Sequence, residues 1–192
     1  MIKKIIVLSF MIELLYQTML ILICGQADSG KSLYAETRLS EFRSTPKFYA
    51  AMSKIVDEEM RERVKKHQAM RSGKGFITVE KTQNLGRLEI PAGSAIMIES
   101  LTAWTANEMF TETGVKESGH VVTKILSDLS RLLEHAENIV IVSDDIFSDG
   151  VEYDALTEEY VKTLALLTIN IAEIADEVVE FVSGFALRLK DC

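Results

Sequence analysis

Short runs of consecutive apolar residues alternate along the chain with longer stretches in which apolar residues recur every third or fourth position. The runs predict strands over 20–24, 47–51, 95–99, 138–143, 177–182 and 186–190. The periodic stretches predict helices over 31–42, 57–71, 101–110, 120–135 and 154–175. Strands that are apolar at every position are those a sheet buries on both faces, which requires helices above and below it. The expected architecture is therefore α/β, a three-layer arrangement with a mostly parallel sheet and helices on both faces. The helix beyond Gly119 carries one apolar stripe, Val121, Val122, Ile125, Leu129, Leu132, Leu133 and Ala136. The last helix is broader. Leu156, Tyr160, Leu164, Leu167, Ile171 and Ile174 share one face, and Val161, Leu166 and Ile169 lie around it. Such a surface requires burial on two sides, in the core or against another subunit.

Composition narrows the partners. The chain has 192 residues, enough for a proper core, and a net charge of −8 that opposes binding to nucleic acid or anionic membrane. An anionic ligand must therefore be captured by a local positive site. Cys24 ends an apolar run and Cys192 ends the chain, without metal-ligand spacing, which indicates a reducing, cytoplasmic setting. The N-terminal Lys3-Lys4 and the apolar run to Tyr16 resemble a targeting segment, but Glu13 interrupts the run and no small-x-small cleavage site follows. Residues 1–18 are read as an extension of unclear role and 19–192 as one domain. The extension is either a docked extra element or an upstream addition to a chain starting at Met19.

The most informative segment follows the first strand. Gly25-Gln26-Ala27-Asp28-Ser29-Gly30-Lys31-Ser32 fits G-x-x-x-x-G-K-[S/T] without mismatch, with a strand before and a helix after it. The glycines allow a tight turn whose amide N–H groups converge on phosphates, and the helix adds its positive end. Lys31 is expected to hold the β- and γ-phosphates of ATP or GTP, and Ser32 to ligate Mg²⁺. The sheet is thus expected to be of P-loop NTPase type. A second acid on the magnesium side should end a buried strand; Glu99 after 95–98 and Asp144-Asp145 after 139–143 both qualify.

Arg63, His67 and Arg71 lie four residues apart in a helical pattern and so stack on one face, behind Val56, Met60 and Val64. Two readings fit: an anion site with an imidazole nucleophile at its centre, or a solvated basic helix with a core-facing histidine.

From Met19 to Lys190 the sequence resembles the bifunctional adenosylcobinamide kinase / adenosylcobinamide-phosphate guanylyltransferase family. The resemblance rests on the loop from Gly25 to Ser32, Tyr49-Ala50-Ala51, and the run Asp57-Glu58-Glu59-Met60 through Arg63, Val64, His67 and Arg71. It continues in Thr78-Val79-Glu80, Glu99-Ser100-Leu101-Thr102-Ala103-Trp104 with Asn107, Ala175-Asp176-Glu177-Val178, Val182-Ser183-Gly184 and Lys190. The resemblance implies phosphorylation of adenosylcobinamide by a nucleoside triphosphate. It also implies GMP transfer from GTP through a guanylylated His67, giving adenosylcobinamide-GDP. Arg63 and Arg71 would position phosphate, Glu80 and Glu99 would contact nucleotide, and Ser32, Glu99 and Asp145 would serve the metal. It further implies a homo-oligomer, a trimer in known cases.

One segment departs from the family pattern. Where relatives carry N-E-V-G-x-G-x-V-P, this chain reads Asp144-Asp145-Ile146-Phe147-Ser148-Asp149-Gly150-Val151-Glu152, gaining side chains and negative charge. Ser100 and Met52 also replace the usual Cys and Thr. Two alternatives therefore accompany the bifunctional enzyme: a diverged P-loop kinase of another small hydroxyl substrate, and a non-catalytic GTP-binding relative.

Overall fold

A computed structural model describes residues 18–53, 58, 62, 73–147 and 150–191. Its centre is a seven-stranded sheet in the order β3-β2-β4-β7-β1-β8-β9. The strands are β1 (Met19–Gly25), β2 (Lys47–Ala51), β3 (Phe76–Val79), β4 (Ser94–Glu99), β7 (Ala136–Asp144), β8 (Glu177–Val182) and β9 (Phe185–Lys190). All pair in parallel except β9, which returns antiparallel along β8. A separate two-residue hairpin joins β5 (Phe110–Thr111) to β6 (Gly114–Val115). The helices are α1 (Lys31–Glu41), α2 (Leu101–Met109), α3 (Ser118–Leu133) and α4 (Ala155–Ile174).

The two faces of each central strand feed different cores. Leu20 and Leu22 of β1 join Ile96, Ile98, Ile139 and Ile141 beneath α2, α3 and α4. Ile21 and Ile23 join Met97, Val140, Val142 and Phe181 beneath Ala35 and Leu39 of α1. Alternation along a strand buried on both faces produces this division, because successive side chains leave opposite sides of the pleat. The result is the three-layer α/β fold expected from the apolar runs.

Six of the seven strands of the main sheet match the expected ones within one or two residues. β3 and the β5–β6 hairpin were not expected as elements. Of the helix expected over 57–71, only Glu58 and Glu62 are described, and both are helical. In α4, Leu164, Leu167 and Ile171 are buried as the periodicity requires, whereas Leu156 and Ile174, placed on the same stripe, are exposed. Leu166 and Ile169 are open as well, so within this chain the helix is buried on one side. Leu156 and Ile174 lie at the two ends of the helix. No helix among the described residues is long and apolar enough to cross a membrane.

Candidate nucleotide site

Parallel strands in this order bring the ends of β4, β7 and β1 to one edge of the sheet. The register places Gly25 beside Asp144, and Ala51 beside Glu99. The chain leaving β1 turns over Gln26 to Gly30 and enters α1 at Lys31. Asp28 and Gly30 take φ of 56° and 95°, the left-handed region that aims successive amides inward. Gly30 caps α1 with no side-chain hydrogen bond, leaving first-turn amides open to an anion. The Ser29 hydroxyl is buried with no protein partner among the described residues, as a group reserved for a phosphate oxygen would be.

Gly25 is required sterically. A Cβ there would lie 2.7 Å from the Phe181 Cβ and 2.9 Å from the Phe181 carbonyl oxygen of β8. The obstacle on the carbonyl side is backbone, so relief means shifting strands. Gly25→Ala is expected to destabilise by about 1–3 kcal/mol, read as a fall in Tm; an unchanged Tm would contradict this packing.

One ion pair and one hydroxyl–carboxylate pair face the cradle. Lys31 is only 5% exposed and its Nζ lies 2.7 Å from Asp144 Oδ1 and 2.8 Å from the Gln26 carbonyl oxygen. A buried ammonium requires such partners, and an arriving phosphate can take the same role. Ser32 Oγ donates to Glu99 Oε1 at 2.6 Å, while Tyr49 Oη donates to Glu99 Oε2 at 2.7 Å. Glu99 is thereby held from both sides with one oxygen at the Ser32 hydroxyl. A hydroxyl beside a carboxylate is a hard-oxygen donor set, which fits Mg²⁺ completed by phosphate oxygens and water.

The expected metal-side acids occupy different positions. Glu99 stands at Ser32. Asp145 turns into its own loop, where Oδ1 accepts the Phe147 amide at 3.1 Å, and its backbone amide donates to the Gly25 carbonyl oxygen at 2.9 Å. The neighbouring Asp144, a strand-end candidate alongside Asp145 but not the one assigned to the metal, is the residue paired with Lys31. Thr102 was missed as a site residue: its hydroxyl accepts the Asp144 amide at 3.0 Å and so fixes the end of β7. Glu80 is exposed just past β3, level with Ala51 and Glu99 across the sheet edge.

Arg63, His67 and Arg71 lie outside the described residues. The chain before them is anchored at this edge. Met52 donates its amide to the Glu99 carbonyl oxygen at 2.8 Å and accepts from Asn107 Nδ2 at 2.7 Å. Beyond the segment, Lys74 pairs at 2.5 Å with Glu36, a buried carboxylate on α1.

Cys24 lies directly under the cradle. Burial above all, then the carboxylates of Glu180 and Asp145, push its thiol from 9.0 to about 12, against a smaller opposing effect of Lys31. Such a thiol stays protonated and unreactive in the folded protein. Alkylation by iodoacetamide at pH 8 is expected to be slow at Cys24 until denaturant is added. Because the folded thiol holds its proton longer than the unfolded one, its contribution to stability is intact below pH 9 and declines as pH rises from there to about 12. Rapid alkylation in native buffer would contradict this burial.

A cradle at the end of β1, a lysine and serine opening α1, and acids ending the two next strands in the sheet define a nucleotide-binding α/β protein of the P-loop class. Comparison with known sequences then places it more narrowly: the chain belongs to the cobinamide kinase / cobinamide phosphate guanyltransferase family, whose sequence profile matches residues 21–189. It is 27% identical over 184 residues to the bifunctional adenosylcobalamin biosynthesis protein CobU of Escherichia coli strain K12, covering 90% of this chain and all of that protein. It is 26% identical, with the same coverage, to the protein of that name from Salmonella typhimurium. Among solved structures, the flagellar accessory protein FlaH from Methanocaldococcus jannaschii is similar at a TM-score of 0.44 and 17% identity, covering 91% of this chain and 79% of that one.

Proposed function

We propose that this protein phosphorylates the aminopropanol hydroxyl of adenosylcobinamide and then transfers GMP from GTP to the new phosphate, giving adenosylcobinamide-GDP. The observation that carries this reading is the pair of contacts Lys31–Asp144 and Ser32–Glu99 at one sheet edge, in a chain matched almost throughout by the family. In the first step the cradle amides and Lys31 hold the triphosphate and neutralise charge developing on the transferred phosphoryl group. Lys31 exchanges Asp144 for phosphate oxygens as the nucleotide enters, so its charge remains compensated throughout. Ser32 and Glu99 would hold Mg²⁺, which would supply further positive charge where negative charge develops on the phosphates. Tyr49, by donating to the far oxygen of Glu99, keeps the near one at the metal position.

For the second step His67 is the proposed nucleophile. Its imidazole nitrogen attacks the α-phosphorus of GTP, pyrophosphate leaves, and the substrate phosphate displaces the imidazole from the bound GMP. Imidazole suits this exchange because it is both nucleophile and leaving group. Arg63 and Arg71, one helical turn away on either side in sequence, are proposed to hold phosphate oxygens. Assembly as a homo-oligomer is proposed from the family resemblance, and the open side of α4 at Leu166 and Ile169 supports it.

Intact-mass spectrometry after incubation with Mg²⁺ and GTP tests the second step. The expected result is a gain of one GMP per chain, lost in acid as a phosphoramidate is. Nucleotide binding without any adduct would favour a kinase lacking the transferase step.

A further inference from the structure

Joined to the cradle through Thr102 and Asp144, α4 and the β5–β6 hairpin present a wall of apolar side chains that the P-loop does not use. Leu156 and Tyr160 lie one turn apart on α4 and so share a face. The Tyr160 ring packs against Phe110, with centroids 5.9 Å apart, and Phe110 pairs across the β5–β6 hairpin with Val115. Leu156, Phe110 and Val115 are 45, 36 and 53% exposed. Phe147, on the loop leaving β7, is exposed as well.

This wall is fixed to the phosphate site through few bonds. Tyr160 Oη donates to the Thr102 carbonyl oxygen at 3.0 Å, and the Thr102 hydroxyl accepts the amide of Asp144, the partner of Lys31. Burial and the nearby Asp144 raise the Tyr160 phenol to about 12, so it remains a neutral donor. A ligand seated on the wall can therefore place a flexible arm at the terminal phosphate. The flanking sequence is acidic on balance. Asp145, Glu152, Asp154 and Glu158 lie on the α4 side, with Glu112 in the hairpin turn and Glu117 just after the hairpin. Against them stand Lys116 and Lys162, the latter paired with Glu158 at 3.2 Å. That field disfavours a nucleotide and favours a cation with a broad apolar face.

We infer that the wall of Leu156, Tyr160, Phe110 and Val115 seats the apolar face of the acceptor's corrin macrocycle, leaving its hydroxyl arm to reach Lys31. This rests on the acceptor being a cobinamide. An alkylcobalt(III) corrin with neutral amide arms carries net positive charge, because the corrin and the alkyl ligand together offset only part of the metal's charge. It therefore matches both the apolar and the acidic character of the site.

Leu156→Ser and Val115→Ser test the inference at exposed positions, with Tm measured to verify folding. Equilibrium dialysis read by corrin absorption gives the Kd of cobinamide, and a separate titration gives that of the triphosphate. Each variant is expected to weaken cobinamide about tenfold, the worth of one apolar contact, with triphosphate affinity unchanged. If the wild type phosphorylates cobinamide and both variants bind it equally well, the wall is misassigned while the proposed function stands. If the wild type neither binds nor phosphorylates cobinamide, the function fails and the wall with it. A loss of oligomer size in the variants with cobinamide affinity unchanged would make the wall an interface between copies and overturn the inference.

Discussion

Replacing His67 with asparagine is expected to abolish the GMP adduct entirely while phosphorylation of cobinamide continues. Asparagine keeps polarity and roughly the position of one nitrogen, but its amide has no basic lone pair with which to attack phosphorus. The phosphoryl step depends on the cradle, Lys31 and Ser32, none of which needs an imidazole. The two steps should therefore separate in one variant, read by intact mass for the adduct and by corrinoid phosphate for the kinase. Loss of both together would mean that the histidine supports the fold. Retention of the adduct would move the acceptor to another residue.

The second large effect is at Lys31. Lys31→Ala removes the ammonium that pairs with Asp144 at the cradle and leaves that carboxylate facing the phosphates without its partner. Turnover of triphosphate is expected to fall by about 10²–10³ in kcat/KM, the scale of losing one positioned charge at a transferring phosphoryl group. Part of the loss comes from repulsion by Asp144, so Lys31→Ala combined with Asp144→Asn should recover some of it. Unchanged kinetics in the single variant would contradict the cradle assignment. No recovery in the double variant would show that Asp144 acts only as a resting partner.

The turn and helix at the cradle were legible because they depend on a contiguous segment. Gly25 through Ser32 is read in one pass, and the flanking strand and helix have strong periodicity. The core strands were legible for a related reason: burial on both faces requires continuous apolar runs, as in Leu20 to Cys24 and Ile139 to Val142. β3 was not, since Phe76–Val79 is a short edge strand with half its residues exposed, and its pairing with β2 is a tertiary fact. The β5–β6 hairpin has only two residues on each strand, too few for any alternation to register.

The choice among strand-end acids was equally hidden. Glu99 and Asp144 both follow buried runs, and only the register across β1, β7 and β4 assigns one to Ser32 and the other to Lys31. Asp145 follows Asp144 directly in sequence but leaves the strand, and its carboxylate turns to the Phe147 amide. One residue of displacement at a strand end changes which group a side chain can reach. The broad apolar face of α4 is legible only as a stripe. Periodicity placed Leu156 on the apolar stripe of the last helix, for the core or another subunit, yet within this chain it stays 45% exposed.

The most direct measurement is product analysis after incubating the purified protein with adenosylcobinamide, Mg²⁺ and GTP, separating corrinoids chromatographically and weighing each. The expected result is conversion to adenosylcobinamide-GDP through a transient adenosylcobinamide phosphate. Consumption of GTP with the corrinoid recovered unchanged would contradict the proposed function.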